Sequence, residues 1–364
     1  MQLFECGHCL QTVYFDNTHC TACGAMLGFD AQQMDMVSLH PDPDNDQYYQ
    51  EEKSQTRYVF CANYHEGACN WVIDAKQHDK FCIACRLNRV IPNLSDLEHH
   101  RRWRKIELAK HRLIYALLQW QLPLKSKVED PERGLAFDFK ATLTEDERVL
   151  TGHDSGLITL NIAEADDIER EMAKNNMAEL YRSVLGHFRH EIGHYYWDVL
   201  VDQSEFLLPF RQLFGDERLD YQEALQRHYE QGAPLDWSER YISAYATMHP
   251  WEDWAETWAH YLHIVDVLET ADTFGIKIQP KLASHQPNMH LVQHQNPYFC
   301  EDFETIYQAW LPVAFAMNSL NRSMGHDDFY PFLINQKVKE KLSFVHKVIQ
   351  SAKQHTQLAL HSSA

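Results

Sequence analysis

The sequence predicts an α+β chain: a cysteine-rich N-terminal region stapled by metal, then a mainly helical domain with a small sheet. Three observations predict it. Eight of the nine cysteines lie in the first 85 residues, mostly as Cys-x2-Cys pairs. Beyond them, apolar residues recur at helical spacing through several long stretches, and one short segment has the composition of a strand. Finally, "GHFRHEIGHYYWD" (186–198) places two histidines at i and i+4, so both imidazoles share one helical face.

The cysteines form two sets. Cys6, Cys9, Cys20 and Cys23 make two knuckles with ten residues between them. Zinc takes four thiolates tetrahedrally, and this spacing fits a small zinc ribbon. A redox dithiol would need a surrounding βαβ pattern, which is missing. Cys61, Cys69, Cys82 and Cys85 are less regular, because seven residues separate the first two. Four cysteines are the preferred ligand set there, with His65 as a possible replacement for one. Closed sites of this kind supply folding energy and keep no open position, so their role is structural or in docking. Cys300 stands alone and reads as a buried, apolar-like cysteine. Between the two sets, "SLHPDPDNDQYYQEEKSQT" (38–56) is polar, acidic and holds two prolines, and it predicts an exposed linker. The cysteine-rich region thus covers residues 1–92.

After Cys85 the pattern changes. Ser95 with Glu98 three residues on forms a capping box. Leu108, Ile114, Tyr115 and Leu118 then recur at helical spacing, so a domain boundary is placed near Asn93. In "GLITLNIAEADD" (156–167), residues 157–162 predict a strand that could pair with an extended peptide. Helices are predicted over 164–202, 238–269 and 301–321. The main domain covers 93–350, and residues 351–364 are expected to be a disordered tail.

His190-Glu191-Ile192-Gly193-His194 is an H-E-x-x-H motif, in which two histidines reach one zinc and the glutamate faces its water. With 23 histidines in the chain, the motif needs a third ligand to carry weight. His187 shares the face but brings no adjacent carboxylate, so it reads as a neighbour or surface residue. Trp197 and Leu200 occupy the positions where one zincin class has its glycine and last histidine, which excludes that class. The other common solution is a glutamate on a later helix. In "SAYATMHPWEDWAETWAHYL" (243–262), Glu252 and Glu256 are i and i+4. One can bind zinc while the other fixes a ligand histidine's tautomer. Trp251, Trp254, Trp258 and Tyr261 would pack this helix against the first. Gly193 would permit close packing behind the site. Asp198 reads equally as a neighbour of His194 or a solvated acid, and His249, His260 and His263 as structural residues.

These residues resemble a gluzincin metallopeptidase. The spacing Tyr245 … Glu252 … Glu256 is similar to that of the lethal-factor class. The resemblance implies Glu252 as the ligand, Glu256 as its histidine's hydrogen-bond partner and Tyr245 as an oxyanion donor. Over residues 1–270 the chain resembles a bacterial family of zinc-binding metallopeptidases with an N-terminal zinc ribbon. The matching stretches are the cysteine pattern with "FCIACRLNRVIPNLS", "GLITLNIAEADD", "GHFRHEIGHYYWDVLV" and "HPWEDWAETWAHYLHI". The expected fold is therefore a zinc-ribbon region followed by a mainly helical zincin-like metallopeptidase domain. It would hold one catalytic Zn2+ and two structural ones, with Glu191 as general base and a peptide or protein as substrate.

Composition narrows the partners. The chain carries 52 acidic against 33 basic residues, a net charge of −19, which disfavours nucleic acid. No stretch reaches the roughly 18 apolar residues of a membrane span, and no signal peptide is recognisable. A cytoplasmic, reducing location is expected. The competing expectation is a binding regulator, docking protein or nucleic acid through the zinc ribbons and the run Arg101-Arg102-Trp103-Arg104-Lys105, with an inert zincin half.

Overall fold

The first two knuckles flank a small antiparallel ribbon, β1 (Phe4–Glu5) and β2 (Thr12–Val13), with Phe4 opposite Val13. Each knuckle is followed by a residue with positive φ, Leu10 (61°) and Gly24 (77°). Their N–H groups return to the carbonyls of Cys6 and Cys20, both at 2.9 Å. The computed structural model describes residues 2–142, 149, 151–166, 183–281, 289–292 and 295–362, with side chains as far as 356.

Strands β3 (Met26–Asp30), β4 (Asp35–Pro41), β5 (Tyr49–Glu51), β6 (Arg57–Phe60) and β7 (Trp71–Asp74) close into a barrel. All neighbours are antiparallel except β7, which runs parallel to β3. The segment 38–56 is therefore not a linker. It supplies the end of β4, the whole of β5 and the turns beside them. A small barrel buries one face of each strand, and the polar outward residues here hide the inward ones, Leu39 among them. Val37, Leu39, Tyr58 and Val72 pack together inside.

A second sheet has the order β10–β11–β9–β8, from β8 (Asn88–Val90), β9 (Ala136–Lys140), β10 (Gly152–Asp154) and β11 (Leu157–Asn161). The strand expected over 157–162 is thus an inner one. It pairs with β9 on one side and β10 on the other, so its backbone is not available to an incoming peptide. Helix α1 (Leu97–Gln119) is capped by Asp96 rather than Ser95. The Asp96 carboxylate accepts the N–H groups of Glu98 at 2.9 Å and His99 at 3.0 Å. Trp103, Ile106, Leu113 and Ile114 form its buried stripe.

The chain divides into two compact units, Met1–Gln119 with Leu124–Glu169, and Trp120–Pro123 with Arg170–Ala364. The packing boundary is therefore not near Asn93. β8, drawn from the cysteine-rich stretch, pairs with β9, and Asn88 stands opposite Phe137.

The second unit contains α2 (Val184–Leu200), α3 (Leu207–Leu213), α4 (Tyr221–Gln231), α5 (Pro250–Thr273), α6 (Phe303–Ser323) and α7 (Gln336–Ser362). The helix expected over 164–202 is α2 alone, capped by the Ser183 hydroxyl accepting the Gly186 N–H. Ile162–Ala165 is a 3-10 turn, and residues 167–182 lie outside the described residues. The helix expected from 238 begins instead at Pro250. A proline lacks the N–H that a helix interior needs but suits the first turn. α7 continues through the expected tail to Ser362, because Leu342, Val345, Ile349 and Ala352 carry a buried stripe into it.

α2 and α5 cross closely at Gly193. A Cβ there would lie 3.1 Å from Ala255 Cα and 3.2 Å from Trp258 Cβ. The Trp254 indole N–H donates to the Gly193 carbonyl at 2.8 Å. Gly193→Val is expected to cost about 1–3 kcal/mol by overpacking, read as a lower Tm in circular dichroism. An unchanged Tm would show that the crossing has slack.

Candidate metal centre

α2 carries His190, Glu191 and His194, and α5 carries Glu252 and Glu256. The two histidine Nε2 atoms are 3.2 Å apart. Glu252 Oε2 lies 3.0 Å from His190 Nε2, and Glu252 Oε1 lies 3.4 Å from His194 Nε2. Zinc bonds of 2.0–2.1 Å at a tetrahedral angle imply ligand separations of about 3.3–3.4 Å. The donor set is also chemically apt, with two imidazoles and one carboxylate. Glu252 Oε2 is buried and accepts no hydrogen bond, as expected of an oxygen kept for a cation.

Glu256 prepares His190. Its Oε1 lies 2.8 Å from Nδ1, so Nδ1–H donates to it and Nε2 keeps a lone pair for a metal. Glu256 Oε2 accepts the Ser243 hydroxyl at 2.6 Å. Burial opposes a charge on His190, yet Glu252 and Glu256 on either side hold its pKa well above the usual value, so a metal must displace a proton from Nε2 to bind there. Burial also opposes ionisation of Glu252, but His194 and His190 keep it well below the usual carboxylate range. Glu191 is different: burial pushes its carboxyl up, only partly offset by His190 and His194. Tyr245 sits in the turn Tyr245–Thr247, its ring centre 6.1 Å from that of His190.

Other expected residues fall outside the ligand group, which consists of His190, His194 and Glu252. His187 and Asp198 do not join it. His249 caps α5, accepting the Trp251 N–H on Nδ1. His260 Nδ1 meets the Tyr330 hydroxyl at 2.8 Å, and His263 stacks on the Tyr330 ring. Sequence reasoning missed Ser243 and Tyr221. The Tyr221 hydroxyl donates to Glu252 Oε1 at 3.0 Å. Ser243 was legible only as one more serine, and Tyr221 reaches in from α4, which carries no motif.

The two cysteine sets also assemble. Cys6, Cys9, Cys20 and Cys23 form one group, and Cys61, Cys69, Cys82 and Cys85 another. Sulfur separations are 3.7 Å for Cys6–Cys23, 3.6 Å for Cys9–Cys20 and 3.8 Å for Cys69–Cys82. Zinc–sulfur bonds of 2.3 Å would give about 3.8 Å. Backbone N–H groups of Trp71, Cys82 and Cys85 point at the second set's sulfurs. His65 is exposed and is not in the group. Behind Cys85, α1 places His111 Nε2 at 3.6 Å and the Glu107 carboxylate at 3.7 Å, with Lys110 ion-paired to Glu107 at 3.0 Å. All three were missed, because fully buried charges on a helix read as its solvated face.

Residues 99–348 match the family model described as "Putative zinc-binding metallo-peptidase". The chain belongs to this family. Residues 3–96 match a zinc-ribbon domain model, so the family's peptidase region follows an N-terminal ribbon. The chain is similar to uncharacterized protein Mb2598c of Mycobacterium bovis and uncharacterized protein Rv2568c of Mycobacterium tuberculosis. Each is 40% identical over 351 residues, spanning 96% of this chain and 95% of the relative. No solved structure matches. As a member of the zinc-binding metallo-peptidase family, the chain has a donor set suited to its family's metal at the α2–α5 crossing.

The basic run 101–105 is already engaged. Arg101 pairs with Glu98 and Asp166, and Arg102 with Asp166. Arg104 donates to the Gly67 carbonyl and Lys105 to that of Ala165. Among the described residues, no helix is long and apolar enough to cross a membrane.

Proposed function

We propose that the protein is a zinc-dependent peptidase, with a catalytic ion held by His190, His194 and Glu252 and structural ions held by the two cysteine sets. The observation that carries this reading is the convergence of the three ligand atoms, with Glu256 fixing the tautomer of His190. Bound zinc supplies Lewis-acid chemistry, polarising a substrate carbonyl and acidifying a water. Glu191 takes the proton of the attacking water and passes it to the departing amine. The Tyr245 hydroxyl donates to the carbonyl oxygen as that atom gains charge.

The substrate is a peptide or protein, and the zinc-ribbon region is the surface for a protein partner, with Leu10 and Tyr14 exposed beside its knuckles. Eight cysteines gathered as candidate metal ligands fit a reducing compartment, which supports a cytoplasmic location. The competing nucleic-acid reading loses support, because its arginines are committed to carboxylates and carbonyls.

Zinc content by mass spectrometry tests the assignment. Wild type is expected to hold one ion in each four-cysteine set and one at the histidine site, three in all, and the His190→Ala, His194→Ala double variant two. Two ions in both proteins, with no third taken up from added zinc, would overturn it. A peptide-library digest then tests hydrolysis.

A further inference from the structure

Glu252 has two oxygens in different circumstances. Oε2 faces His190 Nε2 at 3.0 Å, is buried and accepts no hydrogen bond. Oε1 accepts the Tyr221 hydroxyl at 3.0 Å and lies farther from its histidine, 3.4 Å from His194 Nε2. A carboxylate with two unengaged oxygens can grip zinc through both and so fill the position that a water needs. A hydrogen bond to one oxygen draws off part of its charge and fixes its direction, so the other oxygen is presented to the metal first.

The placement of Tyr221 is built, not incidental. It is the first residue of α4, whose N-terminus is capped by the Asp220 carboxylate accepting the Glu223 N–H at 2.8 Å. The loop before it is tied to the start of α5 through His249. Nδ1 of that ring accepts the Trp251 N–H at 3.1 Å, so Nε2 carries the proton and donates to the Leu219 carbonyl at 3.1 Å. His249 thus links the first turn of α5, which carries Glu252, to the residue two before Tyr221. The phenol and the carboxylate are held in register by one neutral imidazole.

We infer that Tyr221 is a positioning residue that reserves Oε1 of Glu252, so that the carboxylate gives the metal one oxygen and a coordination position stays open. The inference rests on the zinc reading above and adds a residue to it. Tyr221 does not touch the reacting atoms in this role. It sets the orientation and binding mode of the ligand that does.

The test uses the full chain with zinc kept in the cysteine sites. The probe at the histidine site is zinc, titrated against a chromophoric chelator, and then cobalt(II), read by its visible d–d bands. Tyr221→Phe keeps the ring and removes only the hydroxyl. It is expected to weaken zinc at this site roughly 10–100-fold. It is also expected to reduce the cobalt band intensity, as the freed carboxylate binds through both oxygens. Tyr229→Phe, an exposed tyrosine on the same helix, should change neither reading. Wild-type affinity and an unchanged cobalt spectrum in Tyr221→Phe would overturn the inference while leaving the zinc reading intact. A wild-type protein that binds no ion at the histidine site would overturn the zinc reading, and this inference with it. Weakened affinity with an unchanged cobalt spectrum would also overturn it, because loss of packing alone would explain that result.

Discussion

Glu191→Gln is expected to lose peptide hydrolysis by at least two orders of magnitude while the histidine site keeps its ion. General acid–base catalysis contributes about 10²–10⁴ in rate, or roughly 3–5 kcal/mol of barrier. Glutamine has nearly the shape of glutamate but cannot take the water's proton. Glu191 lies outside the ligand group, so zinc content should not fall. Glu252 and Glu256 are both engaged with His190, which leaves Glu191 as the site's acid for proton transfer. The measurement is kcat/KM on a cleaved library peptide, with metal content on the same sample. A variant within a few-fold of wild type would remove Glu191 from the mechanism.

The second large effect is on folding. Cys69→Ala is expected to unfold the N-terminal unit, because the second cysteine set is buried throughout and the other donors beside it, His111 and Glu107, gather at Cys85. Structural zinc contributes an apparent ~10–16 kcal/mol in small zinc domains, comparable with or larger than the ~5–15 kcal/mol that keeps a whole domain folded. Removing one thiolate also leaves His111, Glu107 and Lys110 buried around an altered charge. Zinc content, thermal melting and susceptibility to limited proteolysis would show the loss together. Cys300→Ala, in the other unit and outside every ligand group, is the control and should cost little. A Cys69→Ala protein that melts within a few degrees of wild type with its zinc intact would mean that the second set needs only three cysteines.

The candidate ligand groups were legible in the sequence for a physical reason. Few side chains bind zinc, and helix or knuckle geometry fixes their spacing, so His190, His194 and the cysteine pairs stand out. Glu252 and Glu256 stood out because carboxylates among tryptophans require a purpose. The geometry now places both beside His190. Residues that support the ligands were not legible. Ser243, Tyr221 and His111 act across elements, and nothing local distinguishes them from surface residues. The barrel strand β5 failed for another reason. Tyr49, Gln50 and Glu51 carry almost no apolar signal, and the strand is specified by its two neighbours. Asp96 outcompeted Ser95 as helix cap, a one-residue difference that spacing alone does not resolve. The start of α5, by contrast, was written in the sequence as His249-Pro250 and was obscured only by helical periodicity upstream of it.

The interleaving of the first unit has a consequence for inheritance. Family boundaries fall between residues 96 and 99, yet packing ignores them. A gene fusion or exchange cut there would part β8 from β9, and Asn88 from the Glu107 carboxylate that accepts its amide at 2.8 Å. The ribbon and the N-terminal part of the peptidase region are therefore expected to travel through evolution as one hereditary block. Recombination among homologues should be disfavoured at the homology seam, and a cut at the end of the first unit would in turn part Trp120–Pro123 from the second unit they belong to.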